Sequence, residues 1–120
     1  MIGLTVDPST GLPHFRNGVW TQVEGTLAAL ASNAVIDTLL LTEFDSLSYV
    51  MTFKGATQDD VRSLNMDVLL RSGSLLETVS GKLGPLKIGL DTNINGASFE
   101  LLATNPENFA VEYCLTVLTI

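Results

Sequence analysis

The sequence has few of the residues on which most catalytic and metal sites depend. It contains one cysteine and one histidine in 120 residues, so it holds neither an intrachain disulfide nor a zinc site built from several Cys and His ligands. Positive charge is also scarce, because six Lys and Arg stand against thirteen Asp and Glu, a formal net charge of −7. A surface that follows nucleic-acid phosphates needs the opposite balance, so we expect no nucleic-acid partner.

Long apolar runs are missing as well. No stretch approaches the ~18 apolar residues of a membrane-spanning helix, and no basic segment followed by an apolar run opens the chain. We therefore expect no membrane partner, no export signal and synthesis in the cytoplasm. Apolar residues nevertheless make up 46% of the chain and charged residues only 16%. For a single domain of this size, that balance points to surfaces buried by assembly.

What the sequence does contain is apolar and polar residues that alternate with period two. In residues 97–120, Phe99, Leu101 and Ala103 alternate with other residues, and a second alternating run begins after Asn105-Pro106-Glu107-Asn108. Proline cannot donate to a strand ladder and suits a turn, so the two runs predict an antiparallel hairpin. We expect its second strand to lie inside a sheet.

The same period appears along the rest of the chain. It predicts strands at residues 47–53, 64–70, 75–79 and 86–90, and residues 34–42 are apolar on both faces, as in a strand buried from two sides. Residues 19–30 are ambiguous, but Thr21, Gly25 and Thr26 are poor helix formers, which favours extended structure. Seven or eight short strands joined by Gly, Pro and Asn turns predict an all-β fold, a jelly-roll-like antiparallel β-sandwich.

Glycine and proline interrupt the beginning of the chain. We predict an extended N-terminal arm at residues 1–25 and a β-sandwich domain at residues 26–120. The arm is either a peripheral loop or an extended contact onto a neighbouring subunit. Its apolar residues need a surface on which to be buried, which favours the contact; they are Leu4, Val6, Leu12, Phe15 and Trp20.

Candidate catalytic groups are isolated from one another. His14 has no Cys or second His with which to share a metal or a triad, and Cys114 has no basic neighbour to activate its thiol. The carboxylate pairs Asp59 with Asp60 and Glu100 with Glu112 are explained by solvated charges. We predict no catalytic residue, no cofactor and no enzymatic activity.

One stretch matches a metal-binding pattern. Asp91-Thr92-Asn93-Ile94-Asn95-Gly96 fits the first six positions of a calcium loop, in which Asp91, Asn93 and Asn95 would supply oxygens. The twelfth position is Leu102 rather than Glu, and a strand pattern follows in place of a helix. Asn and Gly also suit a plain turn between strands, which is the preferred interpretation, with calcium as a weak candidate.

A longer succession of residues resembles a known family. Val35-Ile36-Asp37-Thr38 is followed by Thr42-Glu43-Phe44-Asp45-Ser46, a short corner, and then by the strand Leu47-Ser48-Tyr49-Val50-Met51-Thr52-Phe53. This order is similar to a small β-sandwich unit of virion structural proteins in tailed bacteriophages, found on baseplate, neck, fibre and capsid-surface components. The similarity covers about residues 34–120. Ser48 stands where that unit often has a basic residue.

The resemblance implies a non-enzymatic virion protein: a capsid decoration (cement) protein or a tail or neck component, with other capsid or tail proteins as partners. Apolar residues on both faces of several strands independently predict a homo-oligomer, and the assemblies that such units form suggest a trimer. The alternative is a carbohydrate-recognising sandwich assisted by calcium. Sugar sites expose aromatic rings, and only Phe15 and Trp20 fall outside core-phase strand positions.

Overall fold

Alternating apolar residues form the strands of two antiparallel sheets. The computed structural model describes residues 4–6, 13–15 and 19–120, with side chains from Trp20 onward. The sandwich strands are β3 (Val19–Leu27), β4 (Ala34–Leu40), β5 (Ser46–Lys54), β6 (Val61–Arg71), β7 (Ser74–Leu83), β8 (Gly89–Asn95), β9 (Ser98–Thr104) and β10 (Val111–Thr119). Two short strands, β1 (Leu4–Val6) and β2 (Pro13–Phe15), precede them. The predicted all-β antiparallel sandwich is confirmed.

The eight strands divide unequally between the sheets. One sheet has the order β3-β10-β5-β6-β7 and the other the order β4-β9-β8. β10 pairs with β3 on one side and β5 on the other, which confirms that the last strand is internal. The hairpin between β6 and β7 is also confirmed, and its turn places Ser72 and Gly73 at φ angles of 50° and 76°.

The core lies between the two sheets and is filled by every second residue of the strands. β5 shows the period most clearly, because Leu47, Tyr49, Met51 and Phe53 are at most 1% exposed while their neighbours reach solvent. Facing residues from the smaller sheet include Phe99 and Leu101 of β9. At about 25 cal/mol per Å² of apolar area, burial of these side chains is the main term that stabilises the sandwich.

The corner between β4 and β5 joins the two sheets. It contains a short 3₁₀ helix, Leu41–Glu43, in which the Glu43 carboxylate accepts a hydrogen bond of 3.2 Å from the Leu40 N–H. Phe44 then turns into the core and meets Phe99 edge to face, with ring centroids 5.5 Å apart. This is the corner on which the family resemblance depends.

The predicted hairpin over residues 97–120 is wrong. β9 belongs to the three-stranded sheet and β10 to the five-stranded sheet, so residues 105–110 cross from one sheet to the other. Asn105, which is fully buried, holds this crossing: its Nδ2 donates to the carbonyl oxygens of Ala28 (3.0 Å) and Phe109 (2.8 Å). Its Oδ1 accepts from the Glu107 N–H at 3.0 Å.

The strand at residues 34–40 is not buried from two sides. β4 is an edge strand, and Val35 and Leu40 are 50% and 49% exposed. The pairing register of β4 with β9 shifts between Val35 and Asp37, so Ile36 is the extra residue of a β-bulge. The bulge explains why the apolar residues of this segment do not alternate, because it turns two consecutive residues, Ile36 and Asp37, away from solvent.

The predicted N-terminal arm contains paired strands. β1 and β2 form a separate two-stranded antiparallel sheet, in which Leu4 lies opposite Phe15 and Val6 opposite Pro13. Residues 19–27 are extended, as predicted, and form β3, which crosses the expected boundary at residue 25. The division into an arm and a domain therefore stays a prediction. The described part of the chain has no helix that is long and apolar enough to cross a membrane.

Candidate assembly surface

The side of the five-stranded sheet that faces away from the core carries the main candidate surface. Strand alternation points Trp20, Val50, Leu69 and Leu76 to this side, and each is between 41% and 56% exposed. Leu69 and Leu76 lie directly opposite each other on β6 and β7. Trp20 lies opposite Leu118, which is only 4% exposed. The sheet therefore has apolar side chains on both of its faces, as the sequence predicted for the hairpin of β6 and β7.

An apolar groove lies on this surface across β5, β6 and β7. It has a volume of about 660 Å³, and we call it the apolar groove; its lining includes Ser46, Ser48, Leu69, Leu76, Thr78 and Ile120. Ile120 is fixed at one end, since its N–H donates to the Ser46 carbonyl oxygen (3.0 Å) and its own carbonyl accepts from the N–H groups of Asp45 and Ser46. The groove is thus built on ordered backbone.

A second groove, of about 500 Å³, lies across β3, β10 and β5, and we call it the polar groove. Its lining includes Glu24, Thr52, Lys54, Glu112 and Cys114. The Cys114 sulfur accepts a hydrogen bond from the Gln22 side-chain amide at 3.1 Å, and the same amide donates to Glu24. Tyr113 lies over Gly25, where a β-carbon would collide with its ring.

Among the side chains that the structure describes, the titratable groups with displaced pKa values lie between the sheets and away from both grooves. The Tyr49 hydroxyl donates to the Asp37 carboxylate at 2.8 Å, and the Thr38 N–H donates to the other oxygen at 3.0 Å. Burial raises the pKa of Asp37, and the two hydrogen bonds oppose that rise. Burial, followed by the nearby Asp37 charge, raises the pKa of Tyr49. This pair ties β4 to β5. Sequence reasoning missed it, although an Asp inside an apolar strand run is an available signal.

The candidate calcium residues lie on a strand and not in a loop. Asp91, Asn93 and Asn95 occupy alternate positions of β8, and the turn is confined to the residues around Gly96, whose φ is 60°. The Asn93 amide donates to Glu100 on β9 at 3.0 Å. Within residues 20–120, no group of three His, Cys, Asp or Glu side chains is placed to hold a metal. Calcium binding by these residues stays a prediction.

Glu100 and Glu112 do not lie together. Glu100 and Glu112, which the expected hairpin would have placed on one face, belong to different sheets. Asp60 accepts hydrogen bonds from the Thr57 N–H and hydroxyl, so it closes the turn after β5. His14 lies opposite Thr5 in the β1–β2 pair.

The predicted interface residues fall in three places. Leu4 and Val6 belong to β1 and Phe15 to β2, whereas Leu12 lies outside the described residues. Trp20 lies on β3, an edge strand of the larger sheet. Their role as an interface stays a prediction.

Comparison with known proteins shows similarity of fold but not of sequence. No protein-family model and no curated protein matches the sequence. The fold is similar to parts of two bacteriophage tailspikes. The tailspike of Acinetobacter baumannii phage AM24 superimposes with a TM-score of 0.53 at 6% identity, over 86% of this chain and 26% of that one. Tailspike gp49 of A. baumannii bacteriophage Fri1, a capsular polysaccharide depolymerase, gives a TM-score of 0.51 at 11% identity, over 98% of this chain and 19% of that one.

This chain therefore spans about a quarter or less of the length of either tailspike. At such low identity the likeness shows a shared fold. The activity of a whole tailspike is not carried by the comparison.

Proposed function

We propose that this chain is a structural module of a bacteriophage tail, joined to neighbouring subunits through its N-terminal arm and its uncovered apolar surfaces. The observation that carries the proposal is the coverage: 86% and 98% of the chain superimpose on small parts of two tailspikes. The family resemblance over residues 34–120 favours a virion component on separate grounds. Both similar structures are tail proteins, so we favour a tail component over a capsid decoration or neck protein.

We propose a role in assembly and not in catalysis. Within residues 20–120, the two groups with displaced pKa values, Asp37 and Tyr49, bind each other in the interior, and the Cys114 thiol is hydrogen-bonded to Gln22. The outer face of the larger sheet, in contrast, exposes the adjacent pair Leu69 and Leu76 together with Trp20 and Val50. Contiguous apolar surface on a small protein marks a site of interaction. A homo-oligomer, with a trimer as the proposed order, would bury it in a symmetric interface.

The direct test is to locate the chain in virions. An antibody raised against the folded chain is applied to purified particles of the phage that carries the gene, with gold labelling in the electron microscope and mass spectrometry of the particle. We expect label on the tail and peptides in stoichiometric amount. Label on the capsid lattice, or a chain missing from washed particles, would refute the tail proposal.

A second candidate function is the recognition of a polysaccharide. Trp20 favours it, because this side chain is 47% exposed on the same sheet face as the polar groove. The fold similarity to part of a capsular polysaccharide depolymerase also favours it. Aromatic rings present a flat apolar face together with a polar edge, which suits a sugar ring. The expected result is binding to capsular polysaccharide that Trp20→Ala abolishes and Leu40→Ala, on the other sheet, does not.

The calcium component of this candidate needs its own measurement. Titration calorimetry of the chelator-treated chain with Ca²⁺ should show binding that Asn93→Ala removes. Polysaccharide binding that is the same with and without chelator would remove calcium from the proposal and leave sugar recognition standing.

A further inference from the structure

We propose that the apolar groove receives the β1–β2 ribbon of a second copy of this chain. The inference rests on the proposed assembly role and names both halves of the contact. The groove supplies Leu69 and Leu76, and the ribbon supplies the face that contains positions 4, 6, 13 and 15. Each copy then gives one ribbon and accepts one.

The groove has the character of a protein-binding site. Leu69 and Leu76 are 41% and 56% exposed and adjacent. The hydroxyl side chains of Ser46, Ser48 and Thr78 and the carboxylates of Asp67 and Glu77 surround them. Opposite leucines on neighbouring strands have β-carbons about 5 Å apart, so together they form a continuous apolar floor. The rim thus offers hydroxyl groups and carboxylate oxygens for hydrogen bonds, and the Ser48 hydroxyl already donates to Asp67 at 2.9 Å.

The register of the ribbon brings four apolar positions to one face. Its register pairs position 4 with 15 and position 6 with 13, and strand alternation puts these four positions on one face. They are Leu4, Val6, Pro13 and Phe15, whereas the other face has Thr5 and His14. An isolated two-stranded ribbon of this length is marginal in water, so a docking surface would stabilise it.

The two features lie at the same end of the larger sheet. β3 begins at Val19, which pairs with Thr119, and Thr119 in turn pairs with Leu47. Ser46 and Ile120, at the end of the apolar groove, are therefore one residue beyond the row in which the N-terminal segment enters the sheet. Two copies that meet at this end of the sheet would therefore bring the ribbon of each close to the groove of the other.

Distance favours a second copy over the chain's own ribbon. Leu76 lies four strands away from β3, roughly 19 Å at about 4.8 Å per strand. The four Cα-to-Cα steps from Phe15 to Val19 span at most about 14 Å when fully extended. The chain's own ribbon would have to run straight across the sheet with no slack, and the ribbon of a neighbour has no such limit.

Disulfide trapping between two different chains tests the proposal. In a Cys114→Ser background, one chain carries Val6→Cys and another carries Leu76→Cys, and the two are mixed with oxidised glutathione. We expect the mixed disulfide to form about 100-fold faster than between undocked chains, because docking holds the thiols at a millimolar effective concentration. The matched control pairs Thr5→Cys, on the other ribbon face, with Val35→Cys on β4, and it should show only the slow rate.

Equal rates for the test pair and the control pair would overturn the proposal. So would a chain with both Val6→Cys and Leu76→Cys that closes within itself while the mixed chains remain unlinked, because the ribbon would then occupy its own groove.

The groove is tested separately by association in solution. Leu69→Ser with Leu76→Ser should weaken self-association at least tenfold in light scattering, whereas Val35→Ser with Leu40→Ser, of similar exposure, should leave it unchanged. Equal effects would count against the groove. Both measurements use the purified chain, so their failure is distinguishable from failure to find the chain in virion tails.

Discussion

The Asp37 carboxyl group is partly buried between the sheets, and its hydrogen-bond partner is the hydroxyl of Tyr49. Because the pKa of Asp37 is raised in the folded chain, folding favours its protonated form. Its contribution to stability is therefore complete below the ordinary value of 3.8 and is lost as pH rises through the raised pKa. The pair orders the contact between β4 and β5 at some cost in stability at neutral pH.

This balance predicts opposite effects for two variants. Asp37→Asn keeps an acceptor for the Tyr49 hydroxyl without the charge, so at pH 7 the free energy of unfolding should be unchanged or higher by up to about 1 kcal/mol. Tyr49→Phe leaves the carboxylate without its donor and should cost about 1–3 kcal/mol. Chemical denaturation from pH 3 to pH 7 checks the sign, because both effects should grow as pH rises. Effects that shrink with pH would contradict it.

Asn105 is the buried polar side chain that holds the crossing between the sheets. Asn105→Ala removes two donors and one acceptor and leaves the Ala28 and Phe109 carbonyls without this partner. We expect a loss of about 2–4 kcal/mol in the free energy of unfolding. The matched control is Asn93→Ala, an exposed amide on β8 that bonds to Glu100, for which we expect a change within ~0.5 kcal/mol. Similar losses for both would show that burial at Asn105 is unimportant.

At the scale of elements, the turn between β6 and β7 is open to improvement. Ser72 and Gly73 both have positive φ, as in a type I′ turn, where Asn-Gly is the preferred pair. Ser72→Asn should raise the unfolding free energy by a few tenths of a kcal/mol, and Gly73→Ala should lower it by about 1 kcal/mol. Thermal unfolding of the two variants checks the order. A less stable Ser72→Asn chain would mean that the turn is not of this type.

Sequence patterns predicted these elements unevenly, for a physical reason. The alternation of Leu47, Tyr49, Met51 and Phe53 identifies β5 because one face of the strand is buried and the other is exposed to solvent. Alternation contains no information on which strand lies alongside which. The break at Asn105 was therefore compatible with a hairpin as well as with a crossing to the second sheet, and the strand pairing of the structure shows the crossing.

The candidate site shows the same limit. Apolar residues on both faces, namely Leu69 next to Leu70 and Leu75 next to Leu76, did predict that some surface of the hairpin would be uncovered. In residues 34–40 a similar apolar run has a different origin, since the bulge at Ile36 reverses the inward side within one strand. Calcium-like spacing in residues 91–95 reflects the alternation of a strand, whose outward positions are also two residues apart.

At the scale of the whole molecule, the N-terminal arm should be separable from the sandwich. Deletion of residues 1–17 should change the unfolding temperature little, because the two larger sheets begin at Val19. The affinity of self-association, or of binding to the phage particle, should fall by orders of magnitude. Calorimetry and light scattering on the truncated chain check this. A peripheral loop that only braces the domain would give the reverse result, a lower unfolding temperature with assembly intact.

The internal position of β10 determines when this protein can fold during its synthesis. Leu27 of β3 pairs with Val111 of β10, and at 5–20 residues per second a ribosome takes roughly 4–17 s to make the chain between them. Throughout that interval β3 has no partner in its sheet, and one edge of β5 is open. The nascent chain is then at its most prone to pair with another nascent chain, so slower translation should lower the soluble yield and co-expressed chaperones should raise it.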